Sequence, residues 1–339
     1  MTTQTMSVAE RFRCALRGAE VDRLPVMEWA TWWDQTILRW HSEGLSPTLD
    51  HAGIKRALGL DVDHQLWCRQ VPADLVPAQH GAGIIADAAD YAAKRGRLYR
   101  HDSPLIKDAD AVAQWRLACA ERAAGQALCW LTFDGFFWWP RVLLGIEPHL
   151  YAFSDQADLL HQICDDQCRH IAAWLEQVCA IGAPDFVTFA EDMSYNLGPM
   201  LSKRQFDTFL APYYRRILPL FQQRGIPVLC DSDGDVAMLA SWLSEVGFDG
   251  VLPLERQAGC DINNLQANNP SFAFLGHFDK MVMNQGEQAL QCEFERLAPA
   301  MARGRFIPSV DHQTPPSVSL TQYRQYVGLL RDYASGMPY

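Results

Sequence analysis

The chain has 339 residues, 49% of them hydrophobic and 20% charged, with a net charge of −11. That composition supplies a large packed core and excludes a disordered chain, and an acidic balance with no basic stripe excludes a nucleic-acid footprint. The N-terminal MTTQTMSVAERFRCALRG lacks the apolar core of a signal peptide, and no run approaches the ~18 apolar residues of a membrane span, so the expectation is a cytoplasmic protein that engages neither nucleic acid nor membrane.

Taken in chain order, an amphipathic N-terminal helix leads into a series of short apolar runs. They fall at residues 23–29 (RLPVMEW), 61–67, 127–133, 185–192, 226–231, 250–255, 272–277 and 304–310. Between them lie helical patterns over 155–180, 203–224, 236–246, 287–302 and 320–333. Strand alternating with helix implies right-handed crossovers and a parallel sheet. Eight such units predict a single (β/α)8 TIM barrel spanning residues 1–339. A doubly wound sheet has the same alternation, but no G-x-G-x-x-G or P-loop follows any strand. Residues 81–104, with their glycines and short β-like runs, predict a hairpin-like insertion before the third strand. The ten cysteines are dispersed without a Cys-x-x-Cys and read as reduced residues, most of them in the core.

In such a barrel the functional groups sit where the strands end. Glu28 follows the first strand and Asp134 the third. Glu191 and Asp192 follow the fourth, Asp231 and Asp233 the fifth, and Glu255 the sixth. His277, Asp279 and Lys280 follow the seventh, and Asp311 and His312 the eighth. The opposite ends read as ordinary caps and turns. In the stretch PVLCDSDGDV, Asp235 predicts a helix cap, while Asp231 and Asp233 alternate at a strand end beside Gly234 and point to a pocket rim. Six of the eleven tryptophans crowd into EWATWWDQTILRW and DGFFWWP. Clustered Trp at these positions reads equally as core or as an aromatic wall for a flat ligand.

The chain resembles the uroporphyrinogen decarboxylase superfamily, which also holds cobalamin-dependent methyltransferases. The segments AERFRCALRGAEVDRLPV, EDMSYNLGPMLSKRQFDTFLAPYYRRI, DSDGD, PLERQAGCDI, GHFDK and RFIPSVDHQTPPSVSLTQYRQYV follow in that family's order. The resemblance implies the same (β/α)8 barrel. The Arg-rich signature of true porphyrinogen decarboxylases, of the type R-Q-A-G-R, does not occur; EWATWWDQ stands in its region. An acidic pocket also suits a polycarboxylated porphyrinogen poorly.

In the methyltransferase branch a zinc ion is held by His-x-Cys on the fifth strand and a distant Cys near the eighth. The matching positions here are Asp231 and Asp233, with Asp311 or His312 as the distal ligand. Such an oxygen-rich set accepts Mg²⁺ or Mn²⁺ as well as Zn²⁺. The resemblance therefore implies a methyltransferase-like enzyme acting on a small aromatic or methoxylated substrate, with a divalent metal at Asp231, Asp233, Asp311 and His312, and with a corrinoid partner protein. Glu191, Asp233 and His312 would carry catalysis. Glu28, Trp29, Phe137, Trp138, Asp192, Tyr195, Glu255 and Lys280 would contact substrate. The alternative is a metal-independent decarboxylase or other lyase of a non-porphyrin carboxylated ring, with Asp311 or His312 donating the proton and Lys280, Arg256 or Arg141 binding the carboxylate. An apolar helix face on the barrel exterior would suit a homodimer.

Overall fold

Strands that are buried on both faces read as continuous apolar runs, and that is how this sheet is built. The computed structural model describes residues 5–30, 32–68, 71–72, 74–99 and 109–336. Its strands are β1 (Val62–Trp67), β2 (Ala127–Asp134), β3 (Phe186–Ala190), β4 (Ser194–Tyr195), β5 (Gly198–Pro199), β6 (Val228–Asp231), β7 (Gly250–Leu252), β8 (Ala273–Phe278) and β9 (Phe306–Val310). Seven of them form one curled parallel sheet in the order β1-β2-β3-β6-β7-β8-β9, an α/β fold of the TIM-barrel type. Every residue of β2, β3, β8 and β9 is buried. The short β4–β5 hairpin stands apart from this sheet.

The expected first strand is not a strand. Residues 23–29 are extended and run between the two edges of the sheet: Asp61 N–H donates to Val26 O at 2.7 Å, and the Trp29 indole N–H donates to Val310 O at 2.8 Å. Pro25 has no N–H to give a ladder, and the N–H of Val26 is taken by the Asp61 carboxylate at 2.9 Å rather than by a neighbouring strand.

The expected hairpin at 81–104 is also corrected over its described part. Ala88–Leu98 is a helix, because Asp87 accepts from Asp90 N–H at its start, Lys94 pairs with Asp90 one turn earlier at 2.9 Å, and Tyr91 and Leu98 are buried beneath it. Residues 100–104 lie outside the described residues.

The helix Val8–Arg17 starts on a Ser7 cap and stops at Gly18. It lays Phe12 against Phe186, with ring centroids 4.5 Å apart, at the end where the strands begin. That end is not made of simple caps, as the sequence suggested. Asp185 is buried and accepts from Arg13 (2.8 Å), Arg122 (2.7 Å) and the N–H of Cys129 (2.9 Å). Asp61 is gripped by Arg23 through two bonds of 2.6 and 2.8 Å, and Asp63 pairs with Lys55 at 2.5 Å.

Helices Ala157–Ile181, Ala237–Val246, Glu287–Ala302 and Leu320–Gly336 occupy the expected stretches. Between residues 203 and 222 the helix starts on a Ser202–Gln205 capping box and passes through a π-turn at Phe206–Leu210. No helix among the described residues is long and apolar enough to cross a membrane.

Candidate active site

Where the strands end, polar side chains converge. Asp233, on the loop after β6, and His312, after β9, approach to 3.6 Å between Oδ2 and Nε2. Glu255, after β7, completes a set of three whose potential ligand atoms all lie within 4.8 Å of one another. The Glu255 carboxylate accepts from Gly234 N–H at 3.1 Å and faces Lys280 Nζ at 3.5 Å, so its orientation is held from two sides. Asp233 raises the His312 imidazole above its ordinary value and favours the cation.

Two more carboxylates border this set. Asp192 sits at a left-handed backbone position, with φ of 39°, and its Oδ1 accepts from Asp233 N–H at 3.4 Å. Burial, reinforced by the nearby Asp233 charge, pushes Asp192 up to about 6. Asp231 ends β6 between Asp192 and Asp233, and burial pushes it well above the carboxylate range, with both neighbours adding to the shift. Three carboxylates crowded in low dielectric cannot all ionise cheaply.

Among the sequence-predicted metal ligands, then, the structure brings Asp233 and His312 together with Glu255, which the sequence placed with substrate. Asp231 lies alongside. Asp311 points elsewhere: it is fully buried, accepts from the backbone N–H groups of Arg256 (3.0 Å) and Lys280 (3.1 Å), and lies 3.7 Å from Lys280 Nζ. Burial pushes Asp311 up to about 6 against the pull of those donors. Lys280 thus bridges Glu255 and Asp311 rather than pairing with Asp279 beside it, which instead accepts from Gln257 and from Met281 N–H.

Glu191 is placed differently from its neighbour. It is fully buried and accepts from the N–H groups of Phe136 (2.8 Å), Phe137 (2.7 Å) and Trp138 (3.1 Å) and from the Tyr214 hydroxyl. Burial still pushes it up to about 7. Its carboxylate thereby fixes the first turn of the helix Trp138–Leu144. Gly135 makes room for it, since a Cβ at that position would land on the carboxylate.

Glu28 is similarly enclosed, accepting from Ser309 Oγ (2.6 Å) and Tyr323 OH (3.1 Å), and burial pushes it up to about 7. Neither Tyr214 nor Tyr323 stood out in the sequence, because each lies on a distant helix and reads as an ordinary amphipathic position.

The tryptophans divide. Trp40 and Trp139 are core, and so is Phe137. Trp29 is half-buried and stands edge-on to His312, with ring centroids 6.4 Å apart. Trp138 is half-buried beneath the Arg141 guanidinium, 4.9 Å from its ring centroid. Arg141 also donates to Asp192 O at 3.5 Å. Tyr195 is exposed on the β4–β5 hairpin, its carbonyl accepting from Asp235 N–H at 2.9 Å. Asp235 turns its side chain to Ala237 N–H at 2.9 Å, at the start of the following helix. His277 is buried and neutral, pushed down to about 3 by burial, with Nδ1 bonded to Leu254 O and Nε2 accepting from Ile262 N–H.

Comparison with known proteins agrees with this architecture. A methyltransferase from Methanosarcina mazei is 15% identical, with alignment over 96% of this chain and 98% of that one at a TM-score of 0.69. A putative vitamin-B12 independent methionine synthase from Listeria monocytogenes is more distant, at 10% identity, 93% and 96% coverage and a TM-score of 0.47. No curated protein matches the sequence. The uroporphyrinogen decarboxylase (URO-D) family model matches residues 145–333, more than half of the chain, which carry every strand from β3 to β9 and the whole Asp233–Glu255–His312 set; the protein belongs to that family.

Proposed function

We propose that the protein is a methyltransferase for a small aromatic or methoxylated molecule, with a divalent metal held by Asp233, Glu255 and His312. The observation that carries this reading is the convergence of those three donors within 4.8 Å. Two carboxylates and an imidazole suit Zn²⁺ or Mn²⁺, and the Gly234 N–H on Glu255 is the kind of outer contact that orients a ligand. A bound ion would act there as a Lewis acid toward a substrate oxygen or thiol.

The remaining residues then take definite roles. Demethylation of an aryl methyl ether leaves a phenolate oxygen that needs a proton, and Asp192, pushed up to about 6, is protonated near neutrality in a larger fraction than an ordinary carboxylate and would supply it, with Asp231 beside it. Trp29 and Trp138 flank the ring. Glu191, expected from the sequence as acid or base, is a positioning residue in this scheme: its four donors hold the loop that presents Trp138. Lys280 holds Glu255 and Asp311 in place. A corrinoid protein would carry the methyl group, residues 23–29 would bridge the two edges of the sheet in the place of an eighth strand without pairing along it, and residues 1–339 would form one cytoplasmic domain.

Elemental analysis of the untagged protein tests the proposal. Stoichiometric zinc or manganese, lost in Asp233→Asn and His312→Ala, is the expected result. A metal-free protein that releases CO₂ from a carboxylated ring without any corrinoid would replace this reading with a carboxy-lyase.

A further inference from the structure

Among the described residues β1 is an edge strand: it pairs with β2 and with no other strand. Main-chain groups alternate sides along a strand. Cys68 N–H donates to Thr132 O on the β2 side at 2.8 Å, so the N–H and C=O groups of Asp63 and Gln65, at odd positions, face away from β2. Asp61 has the same parity, and its N–H does reach across to Val26 O. Among the described residues no further main-chain hydrogen bond joins the two segments. Among the described residues, the N–H and C=O of Asp63 and Gln65 have no hydrogen-bond partner.

A cleft of about 510 Å³ opens at this place, between β1 and the helices His51–Leu58 and Ala109–Ala123. Its walls include Asp63 and Gln65 together with His64 and Leu66. Successive side chains point to opposite faces of a strand, so a cavity that touches all four must wrap around the free edge. Among the charged groups that line it, Lys55 pairs with Asp63, both almost completely buried, His64 pairs with Glu121 at 2.8 Å, and the exposed Asp50 caps the helix His51–Leu58 by accepting from Gly53 N–H at 2.7 Å. The rest of the wall is largely apolar, with Trp29, Leu66, Trp115 and Leu117.

We propose that this cleft binds a small uncharged molecule carrying an amide group, which pairs with the free N–H and C=O of Gln65 as a residue of an added strand would. The free main-chain pair selects a ligand with one donor and one acceptor at peptide spacing. Because the buried Lys55 and Asp63 already pair with each other, an ion would find no free buried counter-charge to offset its desolvation. The site is separate from the carboxylate cluster but shares Trp29 with it, because that indole borders the cleft and stands edge-on to His312.

The experiment is a titration of the full-length protein with N-acetyl-leucinamide, followed by calorimetry. Saturable one-to-one binding is expected. The methyl ester of N-acetyl-leucine, which lacks the terminal donor, should bind roughly fivefold more weakly, the equivalent of one net hydrogen bond. Leu117→Trp, on an exposed wall position, should fill the cleft and weaken the amide at least tenfold without lowering the melting temperature. Gln65→Pro removes the outward N–H at an edge position where proline is tolerated, and should weaken amide and ester alike while the preference for the amide, which rests on the retained C=O, persists. Absence of binding, equal binding of amide and ester, or unchanged binding in Leu117→Trp would each overturn the proposal.

Discussion

The two ends of the sheet carry similar numbers of aspartates and treat them in opposite ways. Where the strands begin, Asp61, Asp63 and Asp185 each meet a cation: Arg23, Lys55, and the pair Arg13 and Arg122. Where they finish, Asp192 and Asp231 meet other carboxylates and no cation within ion-pair distance among the described residues, and burial, with those neighbouring charges added, pushes both upward, while Asp233 reaches His312. A buried carboxylate that is fully compensated belongs to the scaffold, because removing it strands its partners. A carboxylate crowded by others destabilises the fold and is kept for what it does to a ligand or a proton. Position at a strand end does not make that distinction; the partners do.

The largest expected effect lies at the beginning of the strands. Asp185→Leu leaves two arginines and the Cys129 N–H without their acceptor, and should cost about 3–5 kcal/mol in denaturant unfolding. Glu191 tests whether the comparison holds at the other end. It stands beside Asp192 in sequence but is compensated like Asp185, so Glu191→Leu should cost about 3 kcal/mol or more by orphaning three N–H groups and the Tyr214 hydroxyl. If Glu191→Leu folds with unchanged stability and merely loses turnover, the comparison fails.

Asp231→Asn should move the other way, stabilising the fold by about 1 kcal/mol while abolishing turnover. Because the folded pKa of Asp231 lies above its unfolded value, the native state holds the proton more tightly. Its ionisation therefore costs stability above the ordinary carboxylate range. The benefit of Asn should vanish near pH 4 and grow as pH rises, which a series of melts at pH 4 to 8 would read.

The smallest effect concerns His149, which is buried against Phe137 with neither ring nitrogen partnered among the described residues and is pushed down to about 3 by burial. Here the unfolded chain binds the proton more readily, so stability contributed by the neutral ring is lost as pH falls from about 6.5 toward 3. His149→Phe should therefore be close to neutral at pH 8, within about 1 kcal/mol, and stabilising at pH 5.

Much of the fold was legible because its signals are local. Seven apolar runs became the strands of the parallel sheet, and the last helix starts where TPPSVS ends, with Ser319 Oγ accepting from Gln322 N–H. Two signals misled. The apolar pattern of 23–29 does not show that Val26 N–H goes to a side chain, and the glycines of 81–104 hide a capped helix. At the site, Asp233 and His312 could be picked out by type and position, while Glu255 was expected to contact substrate and stands beside them in the set of three. The different fates of Glu191 and Asp192 could not be read. Adjacent residues at a strand end face opposite ways, and the positive φ at Asp192 turns it toward Asp233 while Glu191 stays beneath the helix that follows β2.

The alternation of apolar runs with amphipathic helices determined the parallel sheet and the end at which polar groups gather, since periodicity and burial are properties of short segments. Which carboxylates are compensated, which crowd together and where the sheet stays open at its edge depended on contacts between residues tens to hundreds of positions apart. Arg13 reaches Asp185, Tyr323 reaches Glu28 and Asp233 reaches His312 through the packing of whole elements. Charge and desolvation are set by what surrounds a group in space, and chain order carries no direct record of that.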